Sequence, residues 1–88
     1  MTPQELKDRT REFALRVVRA TQSLPKGRVA WVLGDQLLRS GTSVGANYRA
    51  ACRARSKAEF LAKLGVVEEE ADESLYWMKL LVAAGIVK

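Results

Sequence analysis

Residues 33–55, LGDQLLRSGTSVGANYRAACRAR, decide the fold. Placed on one helix at about 100° per residue, this stretch separates into faces of different chemistry. One face is apolar and consists of Leu33, Leu37, Val44, Tyr48 and Ala51. The flank beside it carries small residues at helical spacing, namely Gly34, Gly41, Gly45 and Cys52. The pattern predicts a long amphipathic helix that a second helix approaches closely along the flank of small residues.

The other two faces of this helix are polar. The first, here called the polar seam, falls within a sector about 60° wide beside the apolar face and contains Gln36, Ser40, Ser43 and Asn47. Beyond the seam Arg28, Arg39 and Arg53 line up, with Arg49 further round. The seam has two interpretations. Its side chains fix helix register or subunit contacts through hydrogen bonds, or Gln36 and Asn47 contact bases or phosphates beside the arginines.

The first and second helices have recognisable ends. Residues 2–5, TPQE, form a helix start with Thr2 as N-cap, proline at the first helical position and Glu5 closing a capping box. Pro25 and Gly27 then predict a short turn. The second helix is expected to run from Arg28 to about Ala54 as one helix, despite three internal glycines.

A third helix follows after a very short connection. Residues 56–59, SKAE, form a second capping box, and Gly85 is a natural stop. The predicted apolar stripe of this helix is Phe60, Leu64, Val67, Ala71, Leu75, Met78 and Val82. Because short connections make successive helices antiparallel neighbours, the sequence predicts an all-α, up-and-down antiparallel bundle of three long helices, as one domain over residues 1–88.

Composition removes several classes of protein. The chain has no histidine and only Cys52 as cysteine, which argues against zinc-type ligand clusters and an intrachain disulfide. No apolar run approaches the ~20 residues that span a bilayer, and the N-terminus lacks a secretory pattern. We therefore expect a cytoplasmic protein with no membrane association and no cofactor.

The polar residues that could serve catalysis or metal binding lack the partner residues that those functions need. Residues 68–73, EEEADE, are rich in carboxylates, but bundle di-metal sites also need histidine. We expect no metal, and expect Glu70 and Glu73 to meet arginines of the second helix or of a neighbouring subunit. Cys52, Ser40 and Ser43 have no base beside them in the pattern, so no catalytic residue is assigned and the chain is not expected to be an enzyme.

The net charge of +5 is unevenly distributed. Residues 39–63 carry six basic and one acidic side chain, whereas residues 64–88 carry two basic and five acidic ones. The candidate nucleic-acid-binding residues are Arg28, Arg39, Arg49, Arg53, Arg55 and Lys57. Two hypotheses follow: these side chains bind RNA or DNA phosphates, or they pair with the carboxylates within the fold or assembly, making the protein an interaction scaffold. The aromatic residues Trp31, Tyr48, Tyr76 and Trp77 are more typical of core or interface than of base stacking.

Two stretches carry a family resemblance. QLLRSGTSVGANYRAACRARSKAEF (36–60) and EEADESLYWMKLLVAAGIV (69–87) are similar to the bacterial four-helix-bundle family encoded in intervening sequences of 23S rRNA genes. That resemblance implies an up-and-down bundle that assembles into a homo-oligomeric ring, typically a pentamer, without enzymatic activity. The family includes the accessory variability determinant proteins of diversity-generating retroelements, basic ring-forming partners of a reverse transcriptase that bind nucleic acid. It therefore implies RNA, DNA, a reverse transcriptase or another protein as partner.

The sequence departs from the family pattern in two places. Ala50 stands where a glutamate is expected, so an ion pair from that position is missing. The sequence also stops at Lys88, where the family continues into a fourth helix. Either this is a three-helix version or a fragment of a longer product. An uncovered apolar seam would favour self-association.

Overall fold

Three helices joined by short turns make up the chain. The structure, a computed structural model, describes residues 1–87, and within that range it contains no β-strand. Helix α1 spans Pro3–Gln22, α2 spans Arg28–Cys52 and α3 spans Lys57–Ala83. The all-helical prediction is confirmed, and α2 is one uninterrupted helix that ends two residues before the predicted Ala54.

The predicted N-caps of α1 and α3 are confirmed. The Thr2 hydroxyl accepts from the Glu5 amide at 3.1 Å, and the Ser56 hydroxyl accepts from the Glu59 amide at 3.1 Å. These bonds satisfy amides that the first helical turn leaves without a partner. The return bond of the second capping box differs from expectation, because the Glu59 carboxylate accepts from the amide of Arg55 at 3.2 Å.

Helix α3 ends as the glycine predicts. Gly85 adopts a φ of +75°, and its amide donates to the Val82 carbonyl at 3.0 Å. The next amide, that of Ile86, donates to the Leu81 carbonyl at 3.1 Å. This pair of bonds is a Schellman motif, and the Ile86 side chain packs against the core beside it.

Helix α2 is the central element, and α1 and α3 each pack against it. In the described part of the chain, no Cα atom of α1 lies within 8 Å of a Cα atom of α3. The glycine flank of α2 faces α1: a Cβ added at Gly41 would lie 2.8 Å from both Val17 methyl groups, and one at Gly45 would lie 3.2 Å from the Thr10 hydroxyl. The predicted close approach along the small residues is confirmed.

The predicted apolar stripe of α3 is wrong at Ala71, Leu75 and Val82, whereas Met78 packs against the core as predicted. Ser74 and Leu81 are the fully buried residues of α3. The predicted core residues Leu75 and Val82 are 45% and 57% exposed, and Ala71 is exposed as well. Helix α3 therefore turns a partly polar face towards α2 and leaves much of its apolar stripe uncovered.

An apolar groove of about 910 Å³ runs between α1 and α3. Its lining includes Phe13 and Val17 of α1, Leu37 of α2, and Met78 and Val82 of α3. Beneath it Val17, Leu37 and Leu81 form the buried core, one residue from each helix. The three helices thus enclose their core on one side and leave an apolar channel on the other.

Candidate nucleic-acid interface

The structure places the four predicted arginines of α2 on one exposed face, here called the outer face. Arg28, Arg39, Arg49 and Arg53 are all exposed and share a sector about 80° wide, opposite the apolar face of α2. Arg28 and Arg53 lie 25 residues apart, which is about 37 Å along a helix. The arginines therefore follow nearly the whole length of α2.

One of these arginines is held by an acidic side chain of α3. The Arg39 guanidinium lies 3.6 Å from the Glu73 carboxylate and also donates to the Gln36 side chain at 3.1 Å. The same Glu73 oxygen accepts from the Trp77 indole at 3.3 Å. The expected contact between Glu73 and an arginine of the second helix is present within the chain.

The other five predicted cations make no ion pair with any described residue. Arg55 lies in the turn between α2 and α3, and Lys57 is the first residue of α3. Both are exposed and follow Arg53, the C-cap residue of α2, within four residues of sequence. All six predicted cations are therefore exposed, and among residues 1–87 only Arg39 of the set is engaged with a carboxylate.

The polar seam lies against α3. Ser40 has no exposed surface, and the Ser74 hydroxyl lies 3.1 Å from the Ser40 hydroxyl across the α2–α3 contact. The Ser43 hydroxyl donates to the Arg39 carbonyl at 2.7 Å, and the Asn47 amide donates to the Ser43 carbonyl at 2.8 Å. Ser40 is thus out of reach of any external partner, whereas Gln36, Ser43 and Asn47 are half-buried.

Glu70 sits beside the seam without an arginine. Its Oε2 atom is buried and has no hydrogen-bond donor among the described residues. The expected arginine contact is therefore absent at Glu70 within the chain.

A tyrosine on the apolar face of α2, Tyr48, has a shifted pKa. Tyr48 is buried, and Cys52 follows it one turn later on α2. Hydrogen bonding with the Cys52 side chain raises the pKa of the Tyr48 phenol from its ordinary value of 10.0, and burial and the charge of Cys52 raise it further. The raised pKa favours the neutral form of this phenol.

Sequence reasoning missed two cations, and of the two places predicted for Trp31, core or interface, the core is excluded. Lys7 and Arg11 of α1 lie beside Arg49 at a cleft between α1 and α2. Their spacing of one helical turn was visible in the sequence, but their place opposite Arg49 depends on how α1 packs on α2. Trp31, expected in a core or interface, is 73% exposed.

No group of three or more Cys, Asp or Glu side chains in residues 1–87 is arranged to hold a metal ion. None of the three helices combines the length and the apolar character that crossing a membrane requires.

Comparisons with known proteins show which family the chain belongs to. A profile of the 23S rRNA-intervening sequence protein family matches residues 4–88. The chain belongs to this family. A search among curated proteins gives no significant match.

A solved structure agrees with the family membership. This chain is 40% identical to a protein of unknown function from the S23 ribosomal protein family of Bacteroides thetaiotaomicron VPI-5482, and the two structures agree with a TM-score of 0.91. The similarity covers 100% of this chain and 79% of the crystallised one. The resemblance noted from the two sequence stretches is confirmed.

Proposed function

We propose that this chain is a non-enzymatic, oligomeric helical protein that binds RNA or DNA through the outer face of α2, as an accessory to a ribonucleoprotein or a reverse transcriptase. The observation that carries the proposal is the row of exposed arginines without ion pairs, Arg28, Arg49 and Arg53. Unpaired guanidinium groups along about 37 Å of helix match the repeated charge of a phosphate backbone.

Of the four arginines on the outer face, Arg39 is the one paired with a carboxylate, that of Glu73. An exposed ion pair contributes at most about 1 kcal/mol, so Glu73 holds Arg39 only weakly and phosphate competes for it. Arg28, Arg49 and Arg53 have no such competitor among residues 1–87. Trp31 lies one turn from Arg28 and is exposed, which places an aromatic ring beside the row. A base stacked there would add to the phosphate contacts.

The test is fluorescence anisotropy with labelled structured RNA, single-stranded DNA and duplex DNA, titrated across salt concentration. Arg28→Gln with Arg53→Gln is the informative variant, because neither residue contacts a carboxylate and the fold is left intact. Each lost phosphate contact lowers the slope of log affinity against log salt by about 0.7 to 0.9. We expect a decrease of nearly two.

A matched control removes the same charge elsewhere. Arg19→Gln with Lys79→Gln lowers the net charge equally, from exposed positions on α1 and α3. This control should keep the slope of the unmodified chain. Absence of salt-dependent binding by the unmodified chain, or equal losses in both variants, would contradict the proposal.

A second candidate function, an interaction scaffold that assembles with itself, is favoured by the apolar groove. We propose that α3 of a second copy fills it. Arg9 and Arg16 of α1 line the groove and make no ion pair among the described residues. Glu68 and Asp72 are exposed on α3 and equally unpaired. A second α3 would thus bring carboxylates to the two arginines while burying apolar surface.

Assembly and nucleic-acid binding are compatible, because the groove and the outer face of α2 lie on different sides of the molecule. A homo-oligomer, a pentamer by the family resemblance, would repeat the outer face in every subunit. Phosphate contacts from several subunits would then add up on one nucleic acid.

A further inference from the structure

A shallow cleft of about 360 Å³ separates the N-terminal half of α1 from the C-terminal half of α2. Its floor consists of the small residues Ala14, Gly45 and Ala46. The helices come close here because Gly45 has no side chain: a Cβ at this position would lie 3.2 Å from the Thr10 hydroxyl. Longer side chains make up the rest of the lining.

Three cations from two helices surround this floor: Lys7 and Arg11 from α1, and Arg49 from α2. None of the three makes an ion pair within residues 1–87. Asp8 is the carboxylate in the lining, and it accepts from the Gln4 amide at 3.0 Å. Three positive charges against one negative charge give the cleft a net attraction for anions.

The threonines of the cleft do not compete for this role. The Thr10 hydroxyl donates to the Leu6 carbonyl at 2.9 Å, and the Thr42 hydroxyl donates to the Leu38 carbonyl at 2.7 Å. Their protons are committed to their own helices, as is common for helical threonine. The donors available to a ligand are the ammonium of Lys7 and the guanidinium groups of Arg11 and Arg49.

We propose that this cleft binds a phosphodiester group of the nucleic-acid backbone. The inference rests on the proposed function and extends it, because Arg49 belongs both to the cleft and to the outer face of α2. The nucleic acid would then cross from α2 onto α1 and would not follow α2 alone. The small floor admits a sugar–phosphate backbone, and the donors read phosphate charge rather than base identity. Binding at the cleft is therefore independent of sequence.

The first test uses Lys7→Gln with Arg11→Gln in the anisotropy assay. Both residues lie on α1, outside the arginine row of α2. Because neither makes an ion pair among the described residues, the helix content measured by circular dichroism should not change. We expect the salt slope to fall by about 1.4 to 1.8, as for two lost phosphate contacts. The Arg19→Gln, Lys79→Gln control should keep the full slope. If the salt slope of Lys7→Gln with Arg11→Gln equals that of the control, the proposal that the cleft binds a phosphodiester is overturned.

The second test separates failure of the cleft from failure of the proposed function. Tripolyphosphate is titrated into isotopically labelled protein while the amide signals of Gly45 and Ala46 are followed by NMR. Saturable shifts that vanish in Lys7→Gln with Arg11→Gln support an anion site even if the unmodified chain binds no nucleic acid. Unchanged amide signals at Gly45 and Ala46 would overturn the site even if the row on α2 binds nucleic acid.

Discussion

Single residues decide how closely α1 can approach α2. Gly41 is the sharpest case, because an added Cβ would lie 2.8 Å from Val17 methyl groups in the core. Glycine in a helix costs about 0.5–1 kcal/mol relative to alanine, so its presence here is explained by packing rather than by propensity. Gly65 of α3 provides the contrast, because a Cβ there would meet nothing within 4 Å.

The two glycines yield opposite predictions. Gly41→Ala should lower the free energy of unfolding by about 1–3 kcal/mol, because Val17 must move to make room. Gly65→Ala should raise it by about 0.5–1 kcal/mol through helix propensity alone. Urea denaturation of both variants measures the difference. Equal effects of the two substitutions would contradict close packing at Gly41.

The raised pKa of Tyr48 predicts that the folded chain loses stability at alkaline pH. Its pKa in the folded chain is raised, first by the hydrogen bond with Cys52 and then by burial. A raised pKa means that the neutral phenol stabilises the fold fully below the ordinary value of 10.0. This contribution is lost as the pH rises from that value through the higher pKa of the folded state.

The matched variant is Tyr48→Phe, which keeps the ring and removes the titration. We expect its free energy of unfolding, measured by denaturation between pH 8 and about pH 11, to fall less steeply than that of the unmodified chain. The difference should begin near the ordinary pKa. Identical pH profiles would show that Tyr48 does not couple folding to pH.

At the scale of helices, the sequence predicted where a helix begins and ends better than which of its faces is buried. Caps depend on neighbouring residues, so Thr2, Ser56 and Gly85 could be assigned from the chain alone. The face that α3 turns to α2 could not. Apolar residues occur on more than one side of α3, so hydrophobic spacing selected Leu75 and Val82, which are exposed. The buried residues of α3 are instead Ser74 and Leu81, and the Ser74 hydroxyl lies 3.1 Å from the Ser40 hydroxyl of α2.

In the candidate site, too, the placement of residues within one helix could be predicted, whereas contacts between helices could not. The arginine row lies on one helix, so its common face followed from helical spacing. The contact of Glu73 with α2 was expected from charge, although its partner Arg39 was one of several candidates. Lys7 and Arg11 were missed because their approach to Arg49 depends on the packing of two helices, which no spacing within one helix reveals.

The serine pair between α2 and α3 can be tested by a double-mutant cycle. Ser74→Ala should cost about 1 kcal/mol, because the Ser40 oxygen loses a buried donor. Ser40→Ala together with Ser74→Ala should cost less than the sum of the single changes, since the two hydroxyls contact each other at 3.1 Å. Chemical denaturation of the four chains gives the coupling. Additive costs would show that the pair contributes nothing beyond its separate bonds.

The whole molecule is an unevenly covered bundle. Its core takes one residue from each helix, yet the side between α1 and α3 stays open over about 910 Å³. At that opening Val82 of α3 is 57% exposed, and Leu75, two turns earlier on α3, is 45% exposed. Exposed apolar residues at an open apolar groove mark a contact site in soluble proteins. The open side therefore supports self-association more directly than it supports a role for the isolated chain.

We expect the unmodified chain to form oligomers whose mass falls to that of the monomer in Leu75→Glu with Val82→Glu. The charges would enter the apolar contact without disturbing the core, because both side chains are already exposed. Light scattering after size exclusion measures the mass. Val29→Glu with Val32→Glu is the matched control, because both valines are exposed on α2, outside the lining of the groove. Loss of the oligomer in the control alone would place the contact elsewhere.

The occupant of the groove can be identified by a charge exchange between copies. Arg16→Glu should weaken assembly because it places a carboxylate opposite Glu68 and Asp72 of the second copy. Mixing this variant with Asp72→Arg should restore mixed oligomers, since the exchanged pair again has opposite charges. An unmodified chain that stays monomeric at all concentrations would contradict a second copy in the groove. An oligomer indifferent to Arg16 and Asp72 would do the same, because α3 could not then be the element that enters it.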